Sequence, residues 1–182
     1  SWNHSAYNPK TGLWYTNAME VCQIAVPGKQ DPSKLGIAGL YLGVDKLEAV
    51  PPPGRKASAR LDARDPVTGE RKWTVDYPIP GLGSVLTTAG GLVFMGNPEG
   101  DFMALDDATG KILWSFQTGS GIVGQPITWE QDGEQYVSIV SGWGGAVPLW
   151  GGDMAVLTKP VAQGGSFWVF KLPDWEKKTA KR

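Results

Sequence analysis

The sequence predicts an all-β fold, about three blades of a β-propeller in one segment spanning residues 1–182. Three observations carry that expectation. One patterned stretch recurs at a fixed spacing. Turn formers are dense, with 25 Gly and 14 Pro. Nine Trp stand among short runs of β-forming residues while helix-period runs are scarce, the combination expected of short antiparallel strands.

The recurring stretch is the most specific of the three. Residues 63–73 and 104–114 both read Ala-x-Asp-x-x-Thr-Gly-x-x-x-Trp, 41 residues apart. A degraded third copy runs from Ala6 to Trp14, with Asn8 in the Asp place and its Trp two positions early. Each residue type suits a turn between strands. Asp65 and Asp106 can accept backbone N–H bonds. Gly69 and Gly110 supply positive φ, and the Thr adds a side-chain bond. Trp73 and Trp114 each begin the next strand and offer a flat face to a neighbouring module. A period near 40 residues with about four strands per unit points to propeller blades.

The strand expectations follow in order. Leu92–Met95 and Asp101–Leu105 flank an Asn-Pro-Glu-Gly turn. Lys111–Phe116 follows the second repeat turn. Gln125–Trp129 and Glu134–Val140 flank Glu-Gln-Asp-Gly, and Ser166–Leu172 forms a last strand. Residues 27–60 read as a loop-rich insertion, in which Pro51-Pro52-Pro53-Gly54 cannot be a central strand. Residues 143–165 form a second irregular, Gly-rich stretch, and residues 174–182 a charged, solvated tail.

Composition excludes several functions. Net charge is −1, which gives no electrostatic basis for binding nucleic acid. No apolar run is long enough to span a membrane. Cys22 is alone, so no internal disulfide forms, and it is expected as a small buried residue. His4 is alone, which excludes a His-based triad or a multi-His metal site within the chain. The chain opens on a patterned run without Met or a leader, so residues are expected upstream. Three blades cannot close a ring, so a partner segment is expected too.

The repeat resembles the tryptophan-docking motif of pyrroloquinoline quinone (PQQ)-dependent alcohol and methanol dehydrogenases, which are eight-bladed propellers. Other segments are similar to that family in the same order: Trp2–Tyr15, Thr88–Gly96, the Gly-rich Ser141–Ala146, and Phe167–Pro173. The resemblance covers nearly the whole chain and implies the C-terminal portion of such a propeller. It implies cofactor contact for Trp2, matching the family's Asn-Trp pair, with Ser1 in the Asn place. It implies the same for Gly145 and Ala146 in the loop over PQQ. Leu82, where some methanol dehydrogenases have Trp, is implied as pocket wall of a different shape. Asp65, Gly69, Trp73, Asp106, Gly110 and Trp114 take the docking roles.

The implied activity is oxidation of a primary alcohol to an aldehyde, with PQQ and calcium or a lanthanide, and a cytochrome c as electron acceptor. The implied location is the periplasm. The metal ligands and the catalytic base are implied upstream, so none is assigned here. Asp62, Asp65, Asp106, Asp107 and Asp153 are the aspartates weighed as bases; turns account for Asp65 and Asp106. The chain alone is expected to be inactive, contributing pocket wall and ring closure. A non-enzymatic propeller scaffold for protein interaction, of the kind found in an outer-membrane assembly lipoprotein, is the alternative. A carbohydrate-binding β-module is a third reading, and it leaves the repeat unexplained.

Overall fold

The computed structural model describes residues 3–35, 39, 41–144 and 152–171. In chain order the strands are β1 (Ala6–Asn8), β2 (Leu13–Glu20), β3 (Cys22–Pro27), β4 (Val44–Val50), β5 (Ser58–Arg64) and β6 (Arg71–Tyr77). There follow β7 (Val85–Thr87), β8 (Leu92–Gly96), β9 (Asp101–Asp106), β10 (Ile112–Gln117), β11 (Ile127–Gln131) and β12 (Glu134–Ser141). A short helix α1 (Gly152–Thr158) precedes β13 (Ser166–Lys171).

All pairings are antiparallel. The first sheet is ordered β1-β2-β5-β6, the second β7-β8-β9-β10 and the third β11-β12-β13, and β3 pairs with β4 alone. The expected all-β, blade-like architecture is therefore present.

The three Thr-Gly turns are built alike. The amide of Gly12, Gly69 or Gly110 donates to the carbonyl of Asn8, Asp65 or Asp106, each at 2.9 Å. The three glycines have φ of 70°, 75° and 73°, a conformation other L-residues adopt at a cost. The Asn8, Asp65 and Asp106 side chains accept backbone amides within the turn. Each Thr hydroxyl accepts the amide two residues on. The copies do not mark one blade each, however. The turns at Asn8 and Asp65 both lie in the first sheet, at β1-β2 and β5-β6, and the described part of the third sheet has none. The first copy's Trp14 pairs with Arg64 and is partly exposed on the outer face.

The second sheet is the middle layer. Alternation along β8 and β9 sends Val93, Met95, Met103 and Leu105 against Tyr15, Leu61 and Ala63 of the first sheet. Phe94, Phe102 and Ala104 face Val137 and Ile139 of the third. A strand buried on both faces loses the polar alternation of a half-exposed one, which is why these runs are almost wholly apolar. The outer faces differ. That of the first sheet is charged, with Arg60 and Arg64 holding the fully buried Asp62. That of the third exposes Ile127, Val140, Phe167 and Val169.

Three expectations are corrected. Within the loop-rich residues 27–60 the structure places β4, which forms a hairpin with β3. Within the irregular 143–165 stretch it places α1, whose Met154 is buried with Ala49 and Ala57 beside that hairpin. Cys22 is exposed rather than buried, because the two-stranded hairpin has no sheet layer over β3. No helix among the described residues is long and apolar enough to cross a membrane.

Candidate functional site

The segment joining β6 to β7 crosses one end of the sheets and carries Leu82. It is held tightly. Asn17 Nδ2 donates to the carbonyls of Gly81 and Gly83, at 3.0 and 2.9 Å. The Tyr77 hydroxyl donates to Asn17 Oδ1, and burial pushes that phenol well above its ordinary range. The His4 carbonyl accepts the Val85 amide at 3.0 Å, and the His4 amide donates to Ser84 Oγ at 3.1 Å. Both flanking glycines are sterically required. A Cβ on Gly81 would lie 2.4 Å from Pro98 Cγ, and one on Gly83 would lie 2.3 Å from the Gly96 carbonyl oxygen.

Leu82 is 4% exposed and packs on Trp143, itself 6% exposed, with Met19, Val123 and Val161 around them. The Trp143 ring lies over Gly121, where a Cβ would come within 2.6 Å of Cε3. Its indole Nε1 is buried and has no partner among the described residues, and an unmet buried donor costs about 1–3 kcal/mol. The site thus combines an apolar wall, one flat aromatic face and one unused N–H donor. Of the residues expected at the cofactor, Leu82 is in this cluster, while Ser1, Trp2, Gly145 and Ala146 lie outside the described residues.

Trp73 of β6 lies against Gly110 of the second sheet, and its Nε1 donates to the Asp107 carbonyl at 3.0 Å. Trp114 meets the third sheet through rings instead, edge-on to Phe170 at 5.0 Å. Asp107 escaped the sequence reading as a partnered residue. Its carbonyl also accepts the Tyr15 hydroxyl at 3.0 Å, and its Oδ2 accepts Asn8 Nδ2 at 2.6 Å. Trp143 and Met19 were missed as well, since nothing local to them signals the contact with Leu82.

Four of the five weighed aspartates are held by partners. Burial raises the Asp62 pKa, but bonds from Arg64, Thr74 and Arg60 outweigh it and hold the carboxyl below its usual range. Asp65 is held low by the Thr68 and Val67 amides, and Asp106 by the Thr109 hydroxyl and amide. Asp107 is committed to Asn8. Asp153 is exposed in the first turn of α1 and is not a member of the Leu82 cluster. Among the described residues no group of three or more His, Cys, Asp or Glu is placed to hold a metal ion. Glu99 differs: burial, with a smaller push from Asp101, raises its pKa. It lines a cleft of about 410 Å³ with Ile79, Gln117, Ser120 and Val161.

Residues 62–137 match the family described as glucose/ethanol/alcohol dehydrogenase, beta-propeller domain, designated PQQ. The whole chain is 49% identical, over 191 aligned residues, to the quinoprotein alcohol dehydrogenase PedE of Pseudomonas putida, covering 28% of that protein. Among solved structures it is similar to the quinohemoprotein alcohol dehydrogenase from Comamonas testosteroni, with TM-score 0.74, 33% identity, and coverage of 94% of this chain and 26% of that one. It is also similar to a europium-containing methanol dehydrogenase, with TM-score 0.76, 30% identity, and coverage of 93% and 32%. The chain spans under a third of the length of these relatives. With sheets, repeat and full-length similarity in agreement, it belongs to the PQQ-dependent quinoprotein alcohol dehydrogenase family, as a segment corresponding to the C-terminal portion of the propeller.

Proposed function

We propose that this segment serves a PQQ- and metal-dependent dehydrogenase that oxidises a primary alcohol to an aldehyde and passes the electrons to a cytochrome c in the periplasm. The observation that carries the reading is the similarity to quinoprotein alcohol dehydrogenases along the entire chain, with the Leu82–Trp143 cluster intact. A flat, oxygen-rich aromatic cofactor would lie beside that cluster, whose Leu82 and Trp143 are packed closely together. Leu82, Met19, Val123 and Val161 supply an apolar wall that excludes water. The Trp143 N–H, without a partner among the described residues, is a donor for a carbonyl or carboxylate oxygen. When bound, PQQ supplies the electron acceptor for alcohol oxidation.

The division of labour follows from the aspartates. Asp62, Asp65, Asp106 and Asp107 are tied up in structural bonds and Asp153 is not part of the Leu82 cluster, so the base and the ligands for calcium or a lanthanide are assigned to the upstream part of the propeller. Ser1, Trp2, Gly145 and Ala146 are assigned to the cofactor pocket, and residues 27–60, 143–165 and 174–182 to insertion, cofactor-side loop and tail. The remainder of the propeller packs on the two outer faces, charged at Arg60 and Arg64, apolar at Val140, Phe167 and Val169. Supplying those faces is the segment's part in ring closure.

The test is calorimetric titration of PQQ, with calcium and separately with a lanthanide, into the chain alone and into the chain plus the upstream segment. Binding and dye-linked alcohol oxidation are expected only in the reconstituted sample. A folded, reconstituted assembly that ignores PQQ would overturn the reading in favour of an interaction scaffold.

A further inference from the structure

We infer that Ser120 is a positioning residue that staples the two ends of the 143–162 loop and thereby sets the cofactor-side wall. The inference rests on the PQQ reading above for what the loop contacts. Its structural basis is independent of that reading.

Ser120 lies in the connection between β10 and β11 and is 6% exposed. Its hydroxyl accepts the Trp143 amide at 3.0 Å and donates to the Ala162 carbonyl at 2.7 Å. One Oγ therefore joins Trp143 to Ala162, on either side of α1 in the chain. Ser120 is itself fixed from the opposite side. Its carbonyl accepts the Thr118 hydroxyl at 2.9 Å and the Ser141 hydroxyl at 3.1 Å. The Gly142 amide donates to the Gly121 carbonyl at 3.0 Å.

The neck is also closed sterically. A Cβ on Gly142 would lie 2.8 Å from the Gly164 carbonyl oxygen, and one on Gly121 would lie 2.6 Å from Trp143 and 2.9 Å from Val161. Among side chains of this size, Ser joins both ends with the strongest bonds, Cys being a weak donor and acceptor. The site needs one atom that donates and accepts, which a hydroxyl is. Ala at this position leaves the buried Trp143 N–H unmet and releases the Ala162 carbonyl, whose residue is exposed. Trp143 begins the loop and forms the wall with Leu82, so slack in the neck moves the wall. Preorganised support of this kind governs how well a site holds its ligand.

The experiment uses the full-length protein carrying this chain, with PQQ and calcium titrated by quenching of tryptophan fluorescence. Ser120→Ala is expected to weaken PQQ binding about tenfold and to speed amide exchange at Gly142, Trp143 and residues 162–164. Ser120→Thr, which keeps the hydroxyl, is expected to stay within about twofold of the wild type. Asp107→Ala, which strands the buried Asn8 amide far along the chain from this neck, is expected to lower Tm without changing PQQ affinity. Should Ser120→Ala fail to fold, Ser120→Cys, with weaker bonds and similar volume, takes its place. Unchanged PQQ affinity in the Ser120 variant overturns the inference and leaves the PQQ reading standing. So does an Asp107→Ala loss of PQQ affinity as large as the Ser120 loss, which would mark general destabilisation. Failure of the wild type to bind PQQ overturns both.

Discussion

The indole of Trp73 fills the space a side chain on Gly110 would need: a Cβ there would lie 2.6 Å from Trp73 Cε3. The same indole donates to the Asp107 carbonyl at 3.0 Å and tilts against Tyr15 with ring centroids 5.7 Å apart. Two sheets are thus joined by one aromatic ring, one missing Cβ and one carbonyl. Gly110→Ala must disturb all three. With the positive-φ cost added, the expected loss is about 2–4 kcal/mol by urea unfolding. Gly69 has the same backbone but nothing within 4 Å of its would-be Cβ in this structure. In this chain Gly69→Ala is expected to cost only about 1–2 kcal/mol, so the difference between the two variants measures the docking contact.

Asp107 links three residues of the first sheet to the second through different atoms. Truncation to Ala spares the carbonyl that receives Trp73 and Tyr15 but strands the buried Asn8 amide. An expected loss of about 1–3 kcal/mol follows. Asp107→Asn keeps an acceptor for Asn8 and should fall well inside that loss. Equal losses for both variants in urea titrations would show that charge, not the bond, matters there.

Acid sensitivity is expected from Asp62. Its carboxyl is held below the ordinary range in the folded state despite burial, because Arg64, Thr74 and Arg60 bond to it. Its contribution is whole above the ordinary aspartate pKa of about 3.9 and drains as pH falls through the lower folded value. Asp62→Asn should therefore show a shallower loss of stability below about pH 4 than the wild type.

Glu99 has the opposite sign. Burial raises its pKa, and its Oε2 is buried without a hydrogen-bond partner among the described residues. The folded state favours the protonated acid, so this contribution is present below about pH 4.3 and is lost as pH rises through the folded value. Glu99→Gln is expected to stabilise the protein at pH 7 by about 1 kcal/mol, and the gain should vanish near pH 4 in a pH series of unfolding curves.

Phe102 is fully buried between the second and third sheets, touching Phe94, Trp114 and Phe170. Phe102→Ala empties the centre of that interface, with an expected loss of about 3–5 kcal/mol. A loss near 1 kcal/mol in calorimetric melting would show that the ring cluster collapses to fill the gap.

Residue order alone determined the turns and the middle strands. The Asp-x-x-Thr-Gly turn is made by bonds spanning at most five residues, so residue type carries its geometry, even in the degraded copy at Asn8. Runs such as Leu92–Met95 and Asp101–Leu105 were legible because a strand buried on both faces is almost wholly apolar. The hairpin of β3 and β4 was hidden, since Pro and Gly interrupt its short alternation. The two-turn α1 was hidden because seven residues are too few to display a helical period, and burial of Met154 against Ala49 and Ala57 anchors it. Tertiary structure alone decided the contacts between sheets: Asn8 with Asp107, Leu82 with Trp143, and Ser120 with both Trp143 and Ala162. These join residues from 23 to 99 positions apart. Local propensity carries no information at that range, and only the stacking of the sheets brings the partners within reach.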